Sequence, residues 1–370
     1  MAMSPYQIFI LECINFNTYN EESLRNAIDE ISDWDYLTRI VKHNRLEGIV
    51  YSVLMETQLL SKINTGFCDM LSEVFEINKF KNDDLNLILK DIGAAINNSS
   101  YKYAFLKGSY LIPKIYKKGQ RVSNDIDILI SQSDIDQIDV DLKQANFVQK
   151  VYRDGIGFVE PTRREKIFAR MNYGELVPYF RDYPLKGIST AIVDINISLD
   201  FQAKYNTNLV DDMLENSILF EVDNDLKLST LGREDFLIHL CAHLFKEATI
   251  YDWVKENRDT QLYKYCDIYA FLQTVDSTFF ENLQKKIFEY GLEKECYFTF
   301  VNSRKLFPYI CDISELNKLI ENIRPDNLTY LNEIYWPLER KIYTHNTEFI
   351  DWIFYEDKLS VLKEISNVRS

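Results

Sequence analysis

Hydrophobic positions in the first part of the chain recur at helical spacing. Leu24, Ile28 and Ile31 stand four and three apart, and Leu37, Ile40, Val41, Leu46, Ile49, Val50 and Leu54 continue the period, with a bend expected at Gly48. Phe67, Leu71, Val74 and Phe75 extend it, whereas Leu85, Leu87 and Leu89 alternate and blur the end of the region. The pattern predicts a mainly helical segment over 1–95 whose apolar faces share a core. Near Asn97 the texture changes. Tyr103–Leu106 is a short apolar run ending at Lys107-Gly108, and Asp125–Ile130 opens with alternating acids and isoleucines, as a strand does. Gln132–Leu142 reads as a helix start, Gly155–Glu160 and Arg164–Met171 as paired strands, and Ser189–Leu199 as a strand around Asp194. Residues 96–230 are therefore expected to form an α/β unit with a mixed sheet. Helical spacing returns after Leu231, with Thr230 placed to cap a helix through Leu237, Leu240, Cys241 and Leu244. Residues 231–370 are expected to be mainly helical, although the tail from Asn302 offers only fragments punctuated by Pro308 and Pro325. The fold class these segments predict is α+β.

Composition narrows the function. The 370 residues are 46% apolar and 27% charged, a globular make-up long enough for more than one packed unit. Lys and Arg number 42 against 57 Asp and Glu, and the resulting charge of −15 makes long nucleic acid an unlikely partner. No run of eighteen apolar residues predicts a membrane span. The opening MAMSPYQIFILECINFN lacks the basic start and small-residue cleavage site of a signal peptide. Six scattered cysteines without CxxC spacing fit free thiols in a reducing compartment, so the expected location is cytoplasmic.

The chemistry concentrates between Lys107 and Asp127. Two carboxylates at Asp125 and Asp127 point to one face of a strand, where their like charges repel unless a cation joins them. Magnesium suits such a pair, taking carboxylate oxygens together with substrate phosphates. A third acid on a neighbouring strand would complete a site for phosphoryl or nucleotidyl transfer, and Asp194, inside the apolar run Ala191–Leu199, is the candidate. Glu160 and Asp200 are its rivals. Gly108-Ser109 lets the backbone approach a phosphate and adds a hydroxyl donor. Between Lys102 and Arg121 there are six basic residues and no acid, a polarity suited to a triphosphate. Arg121 is the best clamp for paired phosphate oxygens.

Gly108-Ser109, the Asp125-x-Asp127 pair and the distant Asp194 resemble the signature of the polymerase-beta-like nucleotidyltransferase superfamily. Within it, Phe105-Leu106-Lys107-Gly108-Ser109 and the run Arg121–Ile130 resemble an uncharacterised bacterial nucleotidyltransferase family often found near ribosomal-peptide or lasso-peptide biosynthesis genes. A looser likeness covers Tyr36–Leu54, His239–Leu244 and Cys266–Ile268. The resemblance implies a nucleotidyltransferase core with a mixed sheet, flanked by helical regions. It implies magnesium- or manganese-dependent transfer of a nucleoside monophosphate from an NTP to a hydroxyl of a small molecule, peptide or protein, with pyrophosphate released. Asp125, Asp127 and Asp194 would be the catalytic, metal-holding acids. Lys107, Gly108, Ser109, Arg121, Asn196 and His243 would contact the nucleotide. The family often has a histidine two residues after the third acid; Asn196 stands there instead, which keeps hydrogen bonding but not proton transfer.

Two other classes fit the same residues: a kinase that transfers the terminal phosphoryl group, and a non-catalytic nucleotide-binding or antitoxin-like protein. His239 and His243, four apart on a helix, would suggest zinc with Cys266 or Asp267, but the intervening glutamate of a metallopeptidase helix is missing. They are better read as a structural or substrate-facing pair. His43 is expected to be a packed or capping residue and His345 a surface one.

Overall fold

The computed structural model of the chain describes residues 3–97, 99–199, 207–223 and 226–367. The chain packs as two units, one drawn from residues 1–75 and 240–370 and the other from 76–239. The unit boundaries fall inside two long helices, Thr65–Ile96 and Arg233–Thr249.

In the first unit, the opening helices Pro5–Ile14, Glu21–Glu30 and Trp34–His43 each begin at a side chain that accepts a first-turn N–H: Ser4, Asn20 and Asp33. The expected bend lies at Arg45, at φ 53°, just before the helix Glu47–Glu56 that buries Gly48 in its first turn. Helix Thr65–Ile96 is continuous. Leu85, Ile88, Leu89, Ile92 and Ile96 form its buried stripe while Leu87 is 48% exposed, so the alternation of leucines conceals a helical face.

The second unit is built on a mixed sheet. Its strands are β1 (Tyr103–Phe105), β2 (Ile126–Ile130), β3 (Val148–Gln149), the separate hairpin β4 (Val151–Arg153) and β5 (Gly157–Val159), then β6 (Tyr179–Asp182), β7 (Thr190–Asn196), β8 (Ile218–Asp223) and β9 (Leu226–Thr230). All but the hairpin join one seven-stranded sheet in the order β3-β6-β7-β2-β1-β9-β8. The pairs β2–β7 and β1–β9 are parallel and the others antiparallel. Ile126, Ile128 and Ile130 of β2 and Val193 and Ile195 of β7 bury into one cluster with Leu89 and Ile92 of the long helix and Ile135, Ile138 and Leu142 of helix Ile135–Gln144. One face of the central strands is thus committed to the core, which frees the alternate positions for chemistry.

Three expectations about secondary structure change. Arg164–Met171 is not a strand but part of helix Arg163–Tyr173, because Thr162 and Glu165 close a capping box that sets a helix start. Thr230 does not cap a helix; it ends β9, and its hydroxyl donates to the Phe105 carbonyl at 2.7 Å. The C-terminal region has its helices, among them Leu262–Leu272, Phe279–Tyr290 and Glu293–Leu306, but also a three-stranded antiparallel sheet of β10 (Glu333–Trp336), β11 (Lys341–Thr344) and β12 (Lys363–Asn367). Strands this short carry too few residues for a visible period.

His345 is buried rather than on the surface. Its ring stacks on Trp352 at 3.7 Å between centroids, and the Trp352 indole donates to Asp259 at 2.9 Å. Asp259 and Lys358 form a buried ion pair at 2.8 Å, and Lys358 also donates to Thr260. Burial pushes the His345 imidazole down to about 4, with Lys358 adding to the effect and Asp259 opposing it. The unfolded chain then binds a proton at higher pH than the folded one. The stability this group contributes is complete above its ordinary pKa and is lost as pH falls towards 4. Thermal unfolding followed across that interval should show a falling midpoint, and His345→Phe should flatten that part of the slope.

Candidate active site

The loop that leads into β2 is held by two asparagines one turn apart on helix Thr65–Ile96. Asn82 accepts from the Gly119 N–H and donates to the Arg121 carbonyl, both at 2.8 Å, and Asn78 donates to the Gly119 carbonyl at 3.2 Å. Both side chains are buried, so each would be costly without these partners. Asn78 and Asn82 were invisible to motif reasoning; the signal was two amides at i, i+4 on a helix that buries them.

After that loop, the Ser123 hydroxyl donates to Asp125 Oδ1 at 3.0 Å. Ser123 presses against Gly108: a Cβ there would lie 2.7 Å from Ser123 Cβ and Oγ. Glycine is required by this close approach. Lys107, just before it, has φ 46° and ψ −123°, a conformation that costs about 1–3 kcal/mol for a residue with a Cβ. The bend sends its ammonium back onto Asp127 Oδ1 at 2.8 Å. Ser109 and Tyr110 direct their N–H groups to the Leu106 and Lys107 carbonyls. The buried Ser109 hydroxyl has no hydrogen-bond partner among the described residues.

The acids meet through strand register. In the parallel pair β2–β7, Asp127 stands opposite Asp194. Asn196, two residues on and therefore on the same face, directs its amide to Asp127 Oδ1 at 3.5 Å. Asp127 is 4% exposed, and Asp194 Oδ1 is buried without a partner among the described residues. Burial raises the Asp127 carboxyl to about 6, with Lys107 pulling it down and Asp125 and Glu175 pushing it up. Burial also holds Asp194 well above the usual carboxylate range, and the charges of Asp127, Asp125 and Glu175 act in the same direction. Asp127 and Asp194 are therefore both harder to ionise than an exposed carboxyl.

Glu175 is a fourth acid that the sequence did not reveal. It forms an isolated backbone bridge with Asn196, and its charge bears on both Asp127 and Asp194. It lies outside any regular strand and has no motif spacing to the other acids. Of the rivals to Asp194, Glu160 is exposed just beyond β5, and Asp200 lies outside the described residues. Arg121 is 6% exposed, with Nη1 donating to the Val122 carbonyl. His243 belongs to the first unit, where Nε2 faces Glu247 Oε2 at 3.5 Å and Glu247 is also paired with Lys264. His43 offers its backbone carbonyl to Gln261 at 2.7 Å.

The residues fit a hard divalent cation. A buried carboxylate oxygen without a partner, beside a second buried carboxylate, is the donor chemistry such an ion requires. In the arrangement described, the Lys107 ammonium supplies positive charge to Asp127 instead, and no group of three or more His, Cys, Asp or Glu side chains among the described residues is gathered closely enough to hold a metal as it stands.

A mixed sheet flanked by helices, with acids on adjacent central strands beside a glycine-serine turn, defines a nucleotidyltransferase-type enzyme. The chain belongs to the uncharacterised nucleotidyltransferase family, which it matches over residues 30–308. No curated protein matches it.

Gly108→Ala should displace Ser123 and with it the hydroxyl on Asp125. Nucleotidyl transfer should fall by about a hundredfold or more, as for ångström-scale misplacement of a reacting group. The unfolding midpoint should drop by only a few degrees, and steady-state kinetics beside a thermal melt measures both.

Proposed function

We propose that the enzyme transfers a nucleoside monophosphate from an NTP to a hydroxyl acceptor and releases pyrophosphate, with magnesium or manganese held by Asp125, Asp127 and Asp194. The observation that carries this reading is the in-register pair of acids, buried Asp127 and half-buried Asp194, whose buried Oδ1 lacks a partner among the described residues. A bound divalent ion neutralises phosphate charge and makes an acceptor hydroxyl easier to deprotonate. The chain's own groups do the rest. The Ser109 hydroxyl donates to a phosphate oxygen of the NTP. Lys107 turns its ammonium from Asp127 towards the charge that develops on the departing pyrophosphate. Asn196 keeps Asp127 oriented, and Ser123 does the same for Asp125. In the transfer step the acceptor oxygen bonds to the α-phosphorus as the bond to the bridging oxygen of pyrophosphate breaks. The hydroxyl proton passes to a carboxylate oxygen of Asp194.

The acceptor follows from charge. At −15 the protein suits a small molecule, peptide or protein better than long nucleic acid. No helix among the described residues is long and apolar enough to cross a membrane.

Incubation with each NTP and magnesium, with pyrophosphate and nucleoside diphosphate measured separately, tests the reading. Pyrophosphate release is expected, and Asp125→Ala, Asp127→Ala or Asp194→Ala should each lower it by about a thousandfold, some 4 kcal/mol of transition-state stabilisation. Nucleoside diphosphate as the product would mark a kinase. Turnover indifferent to the three substitutions would remove the site from the reaction.

A further inference from the structure

Beyond the end of β7, against the segment that leads into β6, lies a cavity of about 360 Å³. Val151, Phe168, Ala169, Leu176, Val177 and Pro178 give it an apolar lining, Arg164 and Glu165 stand at its polar edge, and Glu175 contributes to its wall. The wall is tied to the catalytic strand. Leu176 N–H donates to the Ile195 carbonyl at 2.9 Å, and Ile197 N–H to the Gly174 carbonyl at 2.8 Å, so the segment carrying Glu175 runs along the end of β7. Glu175 thus belongs both to this cavity and to the field that acts on Asp127 and Asp194.

The surroundings of the cavity are unusual for a water-facing surface. Tyr152 is 64%, Ile156 71%, Phe158 59%, Phe168 49% and Met171 70% exposed. Helix Arg163–Tyr173 fully buries none of its residues. Large apolar side chains this exposed, on the two elements that flank one cavity, mark a binding surface. Its charge is also opposite to that of the whole protein: residues 150–173 hold six basic and three acidic side chains in a chain of net −15. Arg163 and Arg164 are exposed at the start of the helix.

We propose that this cavity and the exposed apolar side chains on its flanking elements bind the acceptor, and that the acceptor is an acidic polypeptide segment with an apolar side chain that enters the cavity and a hydroxyl-bearing residue beside it. The inference rests on the nucleotidyl-transfer reading for the direction of attack. In an in-line displacement the nucleophile and the departing pyrophosphate lie on opposite sides of the phosphorus. Across the sheet the phosphate turn follows β1, the paired acids occupy β2 and β7, and the cavity lies beyond β7. Tyr152, Ile156, Phe158 and Met171 are exposed but do not line the cavity, which favours an extended chain over a small molecule. The excess of acidic residues over the whole chain disfavours RNA. Acidic residues on the segment complement Arg163, Arg164, Lys166 and Arg170.

Binding can be tested without turnover. Fluorescence anisotropy of the full chain is measured with a fluorescein-labelled dodecapeptide of Glu, Phe, Leu and Ser, with the same peptide carrying Lys for Glu, and with poly(U). The acidic peptide should bind at least about tenfold more tightly than either of the others. Arg163→Glu with Arg164→Glu should weaken it by about tenfold or more, as should Phe168→Ser, while Arg163→Lys with Arg164→Lys retains most of the affinity. These side chains are exposed, and unchanged far-ultraviolet circular dichroism confirms that the variants fold. Equal or tighter binding of the basic peptide or of poly(U) overturns the proposal. So do variants that bind like the wild type, or a concentration-dependent dimer that occupies this face. Failure of the catalytic reading is seen separately, as pyrophosphate release indifferent to Asp125→Ala while peptide binding persists.

Discussion

Two carboxylates placed side by side on parallel strands, one buried and the other half-buried, are the constraint around which the second unit is arranged. Asp127 and Asp194 stand opposite each other only because β2 and β7 pair in one register, and a slip of either strand by one residue would turn its acid into the isoleucine core. The opposite faces of the two strands enforce that register by burying Ile126, Ile128, Val193 and Ile195. Hydrophobic burial thus holds in place an electrostatic conflict that an isolated sheet would avoid. The conflict is visible in the raised proton affinity of both acids, and Lys107 and Asn196 moderate it by donating to Asp127.

The supporting shell shows where rigidity is needed. Gly108 has no room for a side chain because Ser123 lies against it, and Ser123 is there to hold Asp125. Lys107 adopts a strained backbone whose consequence is an ammonium on Asp127. The loop between them is secured from behind by Asn78 and Asn82. A site that handles a highly charged substrate needs its charged groups fixed before the substrate arrives, since reorganising them during reaction adds to the barrier.

Much of this was legible before the structure. Asp125 and Asp127 alternate with isoleucines, and Asp194 interrupts an apolar run; both are local patterns, and strand pairing turns them into neighbours. Glu175 was not legible because its proximity comes from an isolated bridge with Asn196 rather than from any spacing. Helix Arg163–Tyr173 carries no clear period, because charged Arg163–Lys166 and apolar Ile167–Ala169 each run together; the Thr162–Glu165 box at its start is the signal that marks it. The sheet of β10–β12 and the burial of His345 against Trp352 depend on contacts between distant segments, which no window along the chain contains.

The account stands on the acids of β2 and β7 forming a cation site once a nucleotide is present. Crystals of the protein soaked with manganese and a nonhydrolysable NTP analogue test this most directly through manganese anomalous scattering. An anomalous peak bonded to oxygens of Asp127 and Asp194, phosphate oxygens near Ser109, and the Lys107 ammonium moved off Asp127 are expected. Nucleotide bound elsewhere, or bound here with Lys107 still on Asp127 and no manganese between the acids, would contradict it.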